Sequence, residues 1–393
     1  MRDGPEFSAA APLAALRSAL GGVAAFFARV DPGTHRRIRG LRLVTAYAMA
    51  AMLATMPDVG AGLGGATLPF LAGGFALWGS VSEARATRPE SSRDLVLLAI
   101  AAGLGAALFI LLAPPLRHLG QAGPEAVLAS GAFCVGYLRR FGVTGAGFGS
   151  QIYIGQLLAY GAGLTPRDLP TVGLAVVLAA IGSVVPRLLS GPAEHPPPSA
   201  PLSDRAGRIG APLAMGVQAG AGALLIVGLN AALGLTESEW AITACTYVVA
   251  GSATGTLERV RRRIVGTLVG VPVGLAFLPL ASAAPLLVWA AAALAMVIYA
   301  MALPERYDIA CGAYAFTLIA TLAVSGEHSV PLLAARAWET LLGGVVGAGA
   351  ATLLLPLRVG AGEGGQRGAG RRRYRIVANE WRGLLGHIRA DRK

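Results

Sequence analysis

Glu339 is the deepest acidic residue in any apolar run of this chain, and Arg336 stands three residues before it. That spacing puts both side chains on one helical face. Two chemistries are open there. The carboxylate can take up and release a proton, which makes Glu339 and Arg336 candidates for proton coupling, or the two form an ion pair that fastens the helix. Glu239 is a weaker candidate for proton exchange. Four further arginines, Arg259 and Arg261 to Arg263, abut the glycine-rich run "IVGTLVGVPVGLAF". They are first of all the flank of an apolar segment. Arg263, nearest the run and one turn before Thr267, is the candidate to meet an anion.

Polar residues inside apolar helices are costly and mark functional positions. Gly149, Tyr153, Gln156 and Tyr160 fall on one helical face, as do Tyr314, Thr317 and Thr321, and Gln218 stands inside another run. These groups could line a path with aromatic and hydrogen-bonding surface, or tie helices together. Gly266, Gly270 and Gly274, then Gly343 and Gly347, recur every four residues and suit close helix packing. The five histidines are scattered, and Cys134, Cys245 and Cys311 all fall inside apolar segments. No metal site, cofactor or disulfide framework is expected, and no enzyme chemistry.

The elements that must position these residues are membrane helices. Of 393 residues, 54% are hydrophobic and only 14% charged, and the mean hydropathy is +0.61. A soluble domain carries about 25% charged residues. The net charge of +12 does not indicate nucleic acid, because the arginines gather at the ends of apolar segments. The spacing predicts an all-α polytopic membrane protein with twelve spans near 41–57, 62–81, 95–115, 125–138, 147–163, 169–189, 209–233, 240–256, 264–283, 284–303, 308–325 and 332–356. Residues 1–40 form an N-terminal segment with an amphipathic stretch at 8–30, and no cleavable signal peptide is expected. A Pro/Ser-rich linker, 190–208, separates a first six-helix half (41–189) from a second (209–357). A basic tail (358–393) carries an apolar stripe of Val377, Trp381, Leu384 and Ile388, suited to an anionic membrane surface.

Charge sets the expected orientation. With both termini in the cytoplasm, thirteen arginines lie inside (Arg85, Arg88, Arg93, Arg139, Arg140, Arg187, Arg205, Arg208, Arg259, Arg261 to Arg263 and Arg306) and three outside (Arg117, Arg167 and Arg336). This obeys the positive-inside rule in all but the last pair of loops. "RRFGVTGAGFGSQI" parallels "ERYDIACGAYAFTL", which matches Phe148 to Tyr314. Six helices per half give the halves the same orientation, so they are expected to be parallel repeats.

"WAIT" (Trp240 to Thr243), followed by "RVRRRIVGTLVG" with Arg263, Gly266, Thr267 and Gly270, resembles the core signature of the fusaric acid resistance (FUSC) family, also described as aromatic acid exporters. "RAWETLLGGVVGAGAATLLLP" resembles its closing helix, through Arg336, Thr340 and Gly343. The resemblance is strongest over 209–357. Over 41–189 Arg93 stands near the equivalent position, but no Gly-Thr pair follows. The resemblance implies a proton-driven inner-membrane exporter of aromatic carboxylates. Trp240, Thr243, Arg263 and Thr267 would then lie on the substrate path. Partners would be membrane lipids and a small organic anion, with a homo-oligomer or a periplasmic adaptor left open. A passive organic-anion channel of similar fold and a non-transport structural protein are the alternatives.

Overall fold

The computed structural model describes residues 31–357 except for residues 32, 61–64, 86, 191–209 and 304. The stretch 8–30, nearly all of the linker 190–208 and the tail 358–393 lie outside the described residues. Among the described residues all regular structure is helical, with twelve helices of ten residues or more: α1 (His35–Ala54), α2 (Thr67–Ser82), α3 (Arg88–Leu116), α4 (Leu128–Tyr137), α5 (Gly142–Gly161), α6 (Leu169–Leu189), α7 (Gly210–Leu233), α8 (Ser238–Val248), α9 (Ala253–Ala276), α10 (Pro285–Ala302), α11 (Tyr307–Val324) and α12 (Val330–Leu353). Among the described residues five stretches are long and apolar enough to cross a membrane: Arg88–Leu119, Pro166–Leu189, Gly210–Leu233, Pro285–Ala302 and Tyr307–Val324.

Two boundaries differ from expectation around residue 250. The run expected to continue to 256 stops as helix at Val248, and the arginines expected in a loop sit in the first turns of α9. The cause is local. Ser252 adopts an extended conformation and its side chain accepts from the Gly255 N–H at 3.1 Å, which caps α9. Thr256 Oγ1 accepts from the Ala250 N–H at 3.0 Å, tying the break to the new helix.

Size sorts the residues as in a lipid-facing bundle. The buried set is dominated by alanine, with many glycines at helix contacts, whereas Leu104, Leu111, Leu225, Val269, Leu286 and Leu353 point outward. Small residues let helices approach, while large apolar side chains outside would be untenable in water at this density. At the α3–α5 contact, a Cβ on Gly105 or Gly155 would collide with the carbonyl oxygen of Ile152 or Ala102. At the α9–α11 contact, Gly266 and Gly270 lie against the carbonyls of Asp308 and Gly312. Gly274 meets Ile319, and Gly343 and Gly347 lie against α8 at Ala241 and Cys245.

Within the first six helices α1 packs on α2 and α6, α3 on α5 and α6, α4 on α5, and α2 on α6. Within the last six, α7 packs on α8 and α12, α9 on α11 and α12, α10 on α11, and α8 on α12. The two sets meet where α4 packs on α7 and α10 on α1.

Candidate functional site

Polar residues gather at the two ends of the bundle, with an aromatic column between them. One end is rich in arginine. Arg39 donates to the carbonyls of Val81 and Glu83 at 2.8 and 3.1 Å, Arg187 Nε to Ser91 at 2.7 Å, and Arg85 to Asp94 at 2.8 Å. Arg259 and Arg262 donate to the carbonyls of Val249 and Glu305 at 3.3 and 3.0 Å. Arg263 Nη1 donates to the Tyr307 hydroxyl at 3.3 Å, and its buried Nε has no hydrogen-bond partner among the described residues. Glu258 lies on the exposed first turns of α9, outside the apolar run from Ile264. Hydrogen bonds from Arg261 and Arg262 hold its carboxyl below the usual carboxylate range.

At the opposite end carboxylates gather. Arg336 Nη2 lies 3.0 Å from Glu237 Oε2, and its guanidinium stacks 3.9 Å above the Trp240 ring. The expected partner, Glu339, is instead bonded elsewhere: its Oε1 accepts from the Glu237 N–H at 2.7 Å. The reason is geometric. The turn before α8 delivers both the backbone and the side chain of Glu237 to this face of α12, so Arg336 finds a partner 99 positions away in sequence. Glu339 is fully buried, and its Oε2 has no hydrogen-bond partner among the described residues. Glu125, also fully buried, accepts from Asn230 Nδ2 at 2.8 Å, and Asn230 also donates to Ser238 at 2.9 Å.

The middle is aromatic and hydroxylic. Tyr153 and Thr243 share a hydrogen bond of 2.8 Å, as do Ser150 and Tyr247. The Tyr153 and Tyr247 rings meet edge to face at 5.9 Å. Trp78 meets Tyr314 at 5.4 Å and Tyr299 at 6.2 Å. Both sets of contacts join the first six helices to the last six.

The residues singled out in sequence divide between this column and the helix contacts around it. Arg263, Trp240, Thr243, Tyr153 and Tyr314 belong to the two ends and the column. Thr267 is buried one turn past Arg263. Gln156 instead ties α5 to α4, accepting from the Gly131 N–H at 3.0 Å and donating to Ser130 at 2.9 Å. Gln218 binds the Leu354 and Leu355 carbonyls at 2.7 and 3.1 Å, past the end of α12. Tyr160 packs edge to face on Phe109 of α3. Thr317 donates to the Ala313 carbonyl in its own helix and to Ala292 of α10, and Thr321 donates within α11. Sequence reasoning missed Trp78, Glu125, Ser150, Glu237, Tyr247, Tyr299 and Tyr307. Asn230 near the end of an apolar run was a readable signal for the Glu125 bond, as an amide there needs a partner.

A bundle of apolar-faced helices around a polar, aromatic junction defines a multi-pass membrane protein. Its second half is similar to a known family: the model described as fusaric acid resistance protein-like matches residues 223–350, from α7 to α12. No curated protein and no solved structure gives a match to the chain.

Proposed function

We propose that the protein exports aromatic carboxylates, or similar amphiphilic organic acids, across the bacterial inner membrane through twelve helices, with the arginine end in the cytoplasm. The observation that carries this reading is the pairing of a partly unsatisfied Arg263 with the aromatic column beyond it. An aromatic carboxylate needs a cation for its charge and ring edges or faces for its body. Arg263 offers the first, while Tyr247, Tyr314 and Trp78 offer the second. Arg336, stacked on Trp240, repeats the combination at the exit. Arginines facing the cytoplasm also raise the local concentration of anions. The similarity over 223–350 to a fusaric acid resistance protein-like model agrees with an efflux role.

The halves are read as parallel repeats about an axis along the membrane normal. Adding six to each helix number turns every pairing named for the first half into one of the second, and turns the α4–α7 contact into α10–α1. The equivalence of Phe148 with Tyr314 rests on sequence. In the contacts, Tyr153 of α5 meets Tyr247 of α8 as Tyr314 of α11 meets Trp78 of α2.

Efflux from loaded cells tests the reading. Arg263→Gln should lower efflux of an aromatic acid while membrane abundance stays normal; normal efflux per molecule would refute the anion role. Cytoplasmic reporters fused after Lys393 and within 190–208 should both be active, and a periplasmic reporter active at either place would refute the twelve-helix orientation. Glu339→Gln should abolish uphill efflux and spare downhill exchange. A wild type that never moves substrate uphill would be a channel.

A further inference from the structure

Glu125, Glu237, Glu239 and Glu339 lie at the end of the bundle that holds Arg336, and among the described residues the ion pair shown there is that of Arg336 with Glu237. Glu239 interacts electrostatically with Glu237, Arg336 and Glu339, and Glu339 with Glu237, Arg336 and Glu125. Tyr160 of α5, packed on Phe109 of α3, interacts electrostatically with Glu125 and Glu239. Arg117 and His118, in the turn that precedes Glu125, are exposed, and His118 is engaged with the Pro115 carbonyl at 2.7 Å. Two carboxylates in this group are fully buried, Glu125 and Glu339, and each leaves one oxygen without a hydrogen-bond partner. Beside them Arg336, 6% exposed, leaves Nε and Nη1 unpartnered. A buried, unpaired carboxylate oxygen is paid for by a proton or a cation. A proton on the carboxyl would satisfy each group from within the chain.

We propose that Glu125 is a second proton-binding carboxylate, loaded together with Glu339 where the two six-helix halves meet. Glu125 comes from the short helix Ala122–Ala126 before α4, and Glu339 from α12. The proton on Glu125 would sit on Oε1, because Oε2 already accepts from Asn230 of α7. Protonation removes a negative charge beside Glu339 at a contact that joins α7 and α8 to the segment before α4. A proton bound there thus favours one arrangement of the halves over another, which is what coupling requires. In transport this rests on the exporter reading, but proton binding itself can be measured without substrate.

Difference infrared spectra of the purified full chain in lipid nanodiscs, recorded across pH without substrate, test the site. A protonated carboxyl C=O stretch that is lost in Glu125→Gln is expected. No such band, or a band that Glu125→Gln leaves intact, overturns the proposal. Gln at 125 keeps a carbonyl oxygen to accept from Asn230. Should it still fail to accumulate, Asn230→Ala leaves the carboxyl without its donor, and the band must then shift; an unshifted band overturns the assignment. In proteoliposomes, Glu125→Gln should reduce benzoate efflux driven by a proton gradient at least tenfold while sparing downhill exchange. Unchanged uphill efflux would overturn the coupling role. Wild-type proteoliposomes that never move benzoate uphill would instead refute the exporter reading, with the infrared result still deciding Glu125.

Discussion

The two ends of the bundle solve the charge problem in opposite ways. At the arginine end some guanidinium groups pair with acids, Arg85 with Asp94 and Arg262 with Glu258, while others lean on backbone carbonyls and hydroxyls: Arg39 on Val81 and Glu83, Arg259 on Val249, Arg263 on Tyr307. The latter bonds orient a cation without neutralising it. At the other end one arginine serves several acids, and the carboxylates Glu125 and Glu339 are left partly unsatisfied. The first arrangement is ready for an anion, the second for a proton. A chain that moves an organic acid against a proton flux needs both, and keeping them at opposite ends prevents them from cancelling.

The largest effect expected on this contrast comes from Arg336→Met, which removes the cation facing Glu237. A buried pair broken on one side costs about 3–5 kcal/mol. Membrane abundance and thermal stability in detergent should fall steeply, and Glu237→Gln in the same chain should recover much of the loss. Equal stability of Arg336→Met and wild type would mean that the carboxylate end is not held by this pair. Next comes packing between the ends. Gly155→Ala forces a methyl into the Ala102 carbonyl, and overpacking of this kind costs about 1–3 kcal/mol. The same change at Gly161, which has open space beside it, should leave the melting temperature unaltered.

A smaller effect is expected in the column. Tyr153→Phe deletes the bond to Thr243 and should cost about 1 kcal/mol, with efflux of hydroxylated aromatic acids changed more than that of unsubstituted ones. The smallest effect belongs to the exposed flank. Glu258 is held below its ordinary pKa by Arg261 and Arg262. Its contribution is therefore present at neutral pH and lost as pH falls through the lowered value. Being 42% exposed, it should contribute less than about 1 kcal/mol. Glu258→Gln should leave stability at pH 7 nearly unchanged and flatten the acid limb slightly.

The helices were legible because apolar runs punctuated by Gly, Pro and Arg are a local property, and each expected span overlaps one of α1 to α12. The glycine contacts of α9 were legible for the same reason: a four-residue repeat fixes a face without knowledge of the neighbour. What lay in the tertiary arrangement was hidden. Arg336 had a carboxylate three residues away, yet its partner is Glu237, because the turn before α8 folds onto α12. Gln156 and Tyr160 share a face with Tyr153, but that face meets α4 and α3 at those heights rather than the junction. Glu125, in "AGPEA" between two apolar runs, looked like an ordinary loop acid until α7 brought Asn230 to it.

α8 is helical for only 11 residues, about 16 Å at the rise of an α-helix, against about 30 Å of hydrocarbon. Beyond Val248 the chain is irregular to Ser252, and the Val249 carbonyl is met by Arg259. Irregular backbone at that depth is tolerated only where protein or water covers it. Val249 and Ala250 are themselves buried, so protein covers this break. A charge passing along α8 from the buried carboxylates to the Val249 break moves about 16 Å, roughly half of the hydrocarbon thickness. A proton released from those carboxylates toward the arginine end would do electrical work over that length, out of about 2.3 kcal/mol per charge per 100 mV for the whole membrane.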